Sequence, residues 1–400
     1  MLNQTEIADA LSRGKFDPPW RCEPLLGSTY GEEEVDAAVA AIREAMDVSK
    51  GFGFSASPIP EFEQAFADHV GCKHAVAINS AGPGLDIAMR YLNLQPGDEV
   101  IVPSANYQAA PLAVFGAGGQ VVWGDIDPRT FQLDPADVQA KLTPRTRAIF
   151  PVHMNGLSAP MDELIKVGHD NPHPQHGRLP VISDAARSCG GGYKNGKIGK
   201  KGLMTVFSFH TMKNMTTLGE GGMITTDDDD VERYCRSVRM YGGGVGAWGT
   251  SNVMTKVQAA VGLVQLSKLD QFIDARHRLA EERHKMLEGL PEIILPHEPE
   301  DTRHSFYLYT CLVCEEWAGE KRDRLIAMMD EEFGIGCGVA NRPVYVSRKI
   351  LAEHTTGQRT PVAEAIGERL LCVSLHPAMT DHENRTIAAA LIRCVERLRH

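Results

Sequence analysis

No run of about 18 consecutive apolar residues, the length a helix needs to cross a bilayer, occurs in the sequence, so no membrane-spanning segment is expected. Basic charge is also scarce. Lysine and arginine number 41 against 52 aspartates and glutamates, a net charge of −11, which would repel a phosphate backbone; nucleic acid is not expected as a partner. The opening residues, MLNQTEIADALSRGKF, have neither the basic start nor the apolar middle of a secretory signal. The nine cysteines are odd in number and follow no framework spacing, which fits reduced thiols in a cytoplasmic protein. Cys311 and Cys314 form a lone CxxC inside the apolar FYLYTCLVC, where core thiols explain them better than a metal or redox pair. His169, His173 and His176 cluster in GHDNPHPQHGRLP, but the prolines and glycines there mark an exposed loop. No metal site is expected.

What is present resembles an ordinary globular chain, with 43% apolar and 23% charged residues. Its 400 residues are enough for a large core and two domains. Residues 1–29 read as an N-terminal arm, a short amphipathic helix followed by an extended, proline-containing piece. GEEEVDAAVAAIREAM, from Gly31 to Met46, puts acids in its first turn and apolar residues at helical spacing, so a helix is expected. A Gly/Ser/Pro loop and another amphipathic helix follow in SKGFGFSASPIPEFEQAFADHVG.

From His74 the chain alternates short apolar runs with helical stretches. Strands are expected at His74–Asn79, Glu99–Pro103, Gln120–Gly124, Ala148–Val152, Val181–Asp184, Met204–Phe209 and Met223–Thr226. Such alternation predicts an α/β fold with a mostly parallel sheet covered on both faces. The acidic run at 227–230 suits a helix start, where acids favour the positive end of the dipole. A long helix, broken or continuous, follows in VMTKVQAAVGLVQLSKLDQFIDARHRLAEERHKMLEGL, and from about Pro291 a smaller α+β unit begins. The expected division is an arm at 1–29, a large domain at 30–270 and a small domain at 271–400.

One stretch carries unusual chemistry. VFSFHTMKNMTTLGEGGMITT, from Val206 to Thr226, places Lys213 between two short apolar runs, next to the flexible Gly219-Glu220-Gly221-Gly222. An ammonium group is costly to desolvate. One use for a lysine in such a place is a Schiff base with a carbonyl, where burial helps lower its pKa; the alternative is a surface lysine on a loop.

The pattern S-F-H-x-x-K-N-x-T-T-x-G-E-G-G resembles the cofactor-lysine segment of the DegT/DnrJ/StrS family, pyridoxal phosphate (PLP) aminotransferases of keto sugars and cyclitols. The resemblance runs from about Leu25 to the C-terminus. It implies the type I PLP-transferase fold: a large domain with a mostly parallel seven-stranded sheet and a smaller α+β C-terminal domain. It further implies that Lys213 binds the cofactor, and that Asp184, in ISDAARSCGGGY, holds the cofactor's ring nitrogen protonated so that the ring is an electron sink. Tyr107, in PSANYQAAP, would stack on the ring, a contact worth about 1 kcal/mol, unless it is merely structural. The phosphate would meet Ser208 and the backbone of Ala81 and Gly82, where a strand ends at Asn79 and a helix is expected to begin near Gly84. Family members usually carry a threonine at the position of Gly82. Asn252, with Ser251 as competitor, would reach the phosphate of the partner subunit in a homodimer.

Two departures concern the substrate. Arg187 stands where glutamine or histidine usually touches the cofactor's 3′-oxygen. GCGVANRPVY replaces the usual G-x-x-x-H-Y-x-P-x-H, putting Asn341, Arg342 and Tyr345 in its place. Arg342 would clamp an anionic group or form a surface salt bridge. Together with His210 it and Tyr345 are the candidate substrate residues. The implied activity is transfer of an amino group from glutamate or glutamine to a keto sugar or keto cyclitol, passing through PLP and pyridoxamine phosphate (PMP). A sugar dehydratase of the same family would carry histidine in place of Lys213, and a non-catalytic PLP-binding sensor would retain the fold without turnover.

Overall fold

The computed structural model describes residues 1–50 and 56–399; residues 51–55 of the expected Gly/Ser/Pro loop lie outside them. Seven strands form the central layer: β1 (His74–Ile78), β2 (Glu99–Pro103), β3 (Gln120–Gly124), β4 (Thr146–Ile149), β5 (Ile182–Asp184), β6 (Met204–Ser208) and β7 (Gly222–Thr226). Each expected strand forms, with ends shifted by no more than three residues. β2 pairs in parallel with β3 and β4, β5 in parallel with β6, and β7 lies antiparallel between β6 and β1. Parallel bridges Ile149–Val181 and Val152–Asp184 join the two groups, giving the order β3-β2-β4-β5-β6-β7-β1. Buried on both faces, these strands need continuous apolar runs rather than alternation, and β2, β4, β5, β6 and β7 are buried along their whole length.

Helices cover both faces. Phe62 and Phe66, on the helix Ile59–Val70, interlock with Phe207 and Phe209, with ring centroids 5.0 Å apart for Phe66–Phe207 and 5.4 Å for Phe66–Phe209. This packing anchors the end of β6 just ahead of Lys213. The acidic run begins the helix Asp229–Val238, with the Asp228 carboxylate accepting from the amides of Asp230 and Val231. The helix from Ala81 to Tyr91 starts three residues earlier than expected. Pro83 sits in the first turn, where its missing N–H is harmless and its fixed φ suits the helix.

The long helix is continuous over 32 residues, Lys256–Leu287, about 48 Å at 1.5 Å per residue. The expected division at residue 270 therefore falls within one unbroken rod. Beyond it an antiparallel sheet sets Tyr309–Val313 between Ile293–Ile294 and Leu370–Val373, with Cys337–Gly338 on the far edge. The helices Glu320–Phe333 and Asp381–Leu398 pack on this sheet. Ile7 and Ala10 of the N-terminal helix Gln4–Ala10 are buried in the same core. Among the described residues no helix is long and apolar enough to cross a membrane.

One buried cation ties these parts together. Arg276, on the long helix, is wholly inaccessible. Its Nη1 donates to the carbonyls of Phe306 (3.0 Å) and Leu375 (3.1 Å), and its Nη2 to that of Gly27 (2.6 Å). Burial lowers its pKa to about 10, which leaves it charged at neutral pH. Arg276→Met would strand three buried carbonyls, each costing about 1 kcal/mol or more. Urea unfolding should show a loss on the order of 3 kcal/mol; a midpoint equal to wild type would show that the three carbonyls find other donors.

Candidate active site

Strand ends place the chemistry. The parallel strands β4, β5 and β6 all terminate on one side of the sheet, where open α/β folds collect ligands. There Ser80, Ala81, Gly82, Asn106, Tyr107, Asp184, Arg187, Ser208, His210 and Lys213 line a cavity of about 360 Å³ together with Glu23, Glu220 and Tyr307.

Lys213 sits in the turn between β6 and β7. The turn is held by Phe209 N–H to Gly221 C=O (2.8 Å), Thr211 N–H to Gly219 C=O (3.0 Å) and Thr217 N–H to Phe209 C=O (3.1 Å). A Cβ at Gly221 would lie 2.0 Å from Thr217 Oγ1, so only glycine closes this turn. Lys213 Nζ donates to Tyr307 Oη at 3.3 Å and lies 4.5 Å from that ring's centroid. Burial lowers its pKa to about 7, and the Arg187 guanidinium adds to the fall; Glu23, Asp184 and Glu220 oppose it. An amine titrating near neutrality is a competent nucleophile and proton carrier.

Asp184 ends β5 and is 4% exposed. Its Oδ1 accepts from Ala186 N–H at 2.8 Å. Burial raises its pKa, against the opposing influence of that amide, Lys213 and Arg187. Among the described residues this carboxylate forms no ion pair, and a protonated pyridine nitrogen would supply the cation for one. Ser208 ends β6, its Oγ accepting from His210 N–H at 3.3 Å. The Ala81–Tyr91 helix begins with no side-chain cap, because the Ser80 hydroxyl donates to Glu220 Oε2 (3.0 Å) instead. Its first amides are thus left for an external anion. A Cβ at Gly82 would meet nothing within 4 Å, so there is room where a threonine is usual. Asn106 Nδ2 is buried without a partner, and Tyr107 is 54% exposed at the mouth. The donor set fits PLP: an amine for its aldehyde, a carboxylate for its ring nitrogen, and hydroxyl and amide donors for its phosphate.

Arg187 turns toward the small unit. Its Nη1 donates to Asn341 Oδ1 (2.6 Å), Asn341 Nδ2 donates to Asn155 Oδ1 (2.6 Å), and the guanidinium lies 5.6 Å from the Tyr307 ring centroid. Asn155 and Asn341 both have left-handed backbones, with φ of 59° and 69°, a strain asparagine tolerates better than most.

Other expected residues lie elsewhere. Arg342 does not line the cavity: its Nε donates to Gly367 C=O (3.4 Å) and its Nη2 is 3.8 Å from Glu368, the salt-bridge alternative. Tyr345 does not line it either; its hydroxyl donates to Glu364 Oε1 at 2.6 Å. Asn252 is buried outside its own chain's cavity, its carbonyl accepting from Asn79 N–H at 3.0 Å. Glu23 and Tyr307 were not foreseen. Tyr307 sits in an apolar run that reads as core strand, and Glu23 is an isolated acid in the arm, so neither has a local signal.

A family model described as the DegT/DnrJ/EryC1/StrS aminotransferase family matches residues 32–392. The chain belongs to that family. The aminotransferase is 38% identical over 342 residues to GDP-perosamine synthase of Caulobacter vibrioides, covering 83% of this chain and 89% of that one. It is 33% identical over 377 residues to the spore coat polysaccharide biosynthesis protein SpsC of Bacillus subtilis, covering 90% and 92%. Among solved structures, DesV of S. venezuelae matches with a TM-score of 0.83 at 32% identity, over 92% of this chain and 96% of that one. Spr1654 from Streptococcus pneumoniae, solved in PLP and PMP forms, matches with a TM-score of 0.85 at 25% identity, over 94% of this chain in both forms. The fold is the type I PLP-transferase fold, and the aminotransferase uses PLP.

The depressed Lys213 amine has a thermodynamic signature. In the unfolded chain it binds its proton up to about 10.4, but in the cofactor-free fold only up to about 7. Between those values the unfolded state holds more protons, so this residue makes stability rise with pH across that window. In Lys213→Met the rise should be flatter in thermal melts of cofactor-free protein. An equally steep rise would show that Lys213 titrates normally in the fold.

Proposed function

We propose that this aminotransferase moves an amino group from glutamate or glutamine to a keto sugar or keto cyclitol, with a nucleotide- or phosphate-bearing keto sugar as the favoured acceptor. The observation that carries the reading is one cavity holding a near-neutral lysine amine, a buried carboxylate and an uncapped helix start. The acceptor class is supported by the relatives, one of them named for a GDP-linked sugar product and another for polysaccharide biosynthesis.

In this reading Lys213 holds PLP covalently. Its amine, when free, would carry the proton from the donor's Cα toward the cofactor's C4′. Asp184 keeps the ring nitrogen protonated, and PLP supplies the electron sink. Ser208 and the amides of Ala81 and Gly82 hold the phosphate, Tyr107 covers the ring, and His210 and Arg187 border the space left for substrate. We place the enzyme in the cytoplasm as a homodimer in which Asn252 completes the phosphate site of the partner subunit.

The test is a half-reaction. Incubated with glutamate or glutamine carrying 15N in the α-amino group, the protein should move label onto the cofactor and release a 2-oxo acid. Lys213→Ala should lose turnover by several orders of magnitude, and borohydride should fix the cofactor to Lys213 in wild type. A fully active Lys213→Ala would end the proposal.

The shared site has its own test. Inactive Lys213→Ala chains co-refolded with inactive Asn252→Ala chains should regain some activity, because hybrid dimers contain one intact site. Activity no greater than that of either parent would place Asn252 outside the site.

A further inference from the structure

The N-terminal arm delivers a carboxylate to the site that the activity as described does not use. Two stitches fix the arm on the lysine turn: Gly27 N–H donates to Thr211 C=O (2.8 Å), and Thr211 Oγ1 donates to Leu25 C=O (3.0 Å). A Cβ at Gly27 would lie 2.1 Å from Met212 O and 2.4 Å from Lys213 O, so the two backbones are in close contact. Arg276 holds the Gly27 carbonyl from the other side. With its arm fixed in this way, Glu23 reaches the cavity, and its Oε1 accepts from the Tyr307 hydroxyl at 3.2 Å. The same hydroxyl accepts from Lys213 Nζ at 3.3 Å. The result is a chain from Lys213 through Tyr307 to Glu23, which crosses from the large unit to the arm.

Tyr307 is 3% exposed. Burial, with help from Glu23, pushes its phenol well above the ordinary range, so it stays protonated and can only relay polarity, not give up its proton. The Arg187 guanidinium lies 5.6 Å from the same ring's centroid. Lys213 therefore feels a nearby cation, which disfavours its ammonium form, and the Glu23 carboxylate one hydroxyl away, which favours it.

We propose that Glu23 and Tyr307 are positioning residues that hold the freed amine of Lys213 in reach of the donor's Cα and stabilise its ammonium form after it has taken the proton. The balance is simple. The Cα–H bond breaks with its electron pair going to the bound cofactor, the neutral Lys213 amine gains the proton, and the new positive charge faces the Tyr307–Glu23 pair until the proton passes to C4′. Tyr307 keeps its own proton throughout. The inference rests on Lys213 being the cofactor lysine and adds which groups govern it when it is free.

The experiment uses protein loaded with pyridoxamine phosphate, in which Lys213 is free. In this form the pH dependence of Lys213 acylation, read by mass spectrometry, reports its pKa; in protein loaded with pyridoxal phosphate, loss of deuterium from Cα-deuterated glutamate reports the proton transfer. Glu23→Gln and Tyr307→Phe should each lower the Lys213 pKa by about one unit. Each should also slow Cα exchange by roughly tenfold, with little change in the donor's KM. Glu23→Asp keeps the charge and should titrate close to wild type. A Lys213 titration that is the same in Glu23→Gln, Tyr307→Phe and wild type overturns the inference. If Lys213→Ala is inactive while this happens, the assignment of Lys213 stands and only the role of Glu23 and Tyr307 falls.

Discussion

The site depends on a buried guanidinium far from the reacting atoms. Among the described residues Arg276 meets no carboxylate; three backbone carbonyls solvate it, one each from the arm, the segment leading to Tyr307, and the small unit. A buried cation that loses such partners is strongly unfavourable, so the three segments cannot separate without leaving it exposed to that penalty. Gly27 then presses on the lysine turn and Phe306 fixes the residue beside it. Through these contacts the long helix acts as a datum for both the arm and the hydroxyl that meets Lys213.

Electrostatics at the centre of the site are a contest between close opponents. Desolvation favours the neutral amine of Lys213, and Arg187 pushes the same way. Three carboxylates push back, with Glu23 first among them. A group that must accept and then release a proton works best when neither state is strongly preferred. The strained asparagines Asn155 and Asn341 clamp Arg187 in place, so the opposing charges keep fixed positions.

Features set locally were legible in the sequence. Lys213 lies between two short apolar runs, Ser208 and Asp184 fall within such runs, and the seven strands follow from the alternation of apolar runs with helical stretches, whereas the order of the strands has no local signal. The Ala81–Tyr91 helix starts three residues before the expected Gly84, because a proline in the first turn is compatible with a helix. Arg342 and Tyr345 looked like substrate groups by position in a motif, but Glu368 and Glu364, twenty or so residues on, draw them away. Glu23 and Tyr307 could not be read at all. Their meeting is set by a fold that brings together residues 284 positions apart, and no window of sequence contains that information.

The stitching of the arm to the lysine turn also has a consequence in time. Gly27 waits for Thr211 and Arg276, and Glu23 waits for Tyr307, so the N-terminal end of the chain cannot take up its final place until three-quarters of the polypeptide has been made. Contacts of such long separation form late. A ribosome-bound chain can fold its sheet and expose a lysine before the arm is seated, but it cannot enclose that lysine. The burial that lowers the pKa of the amine therefore arrives with the last stages of folding.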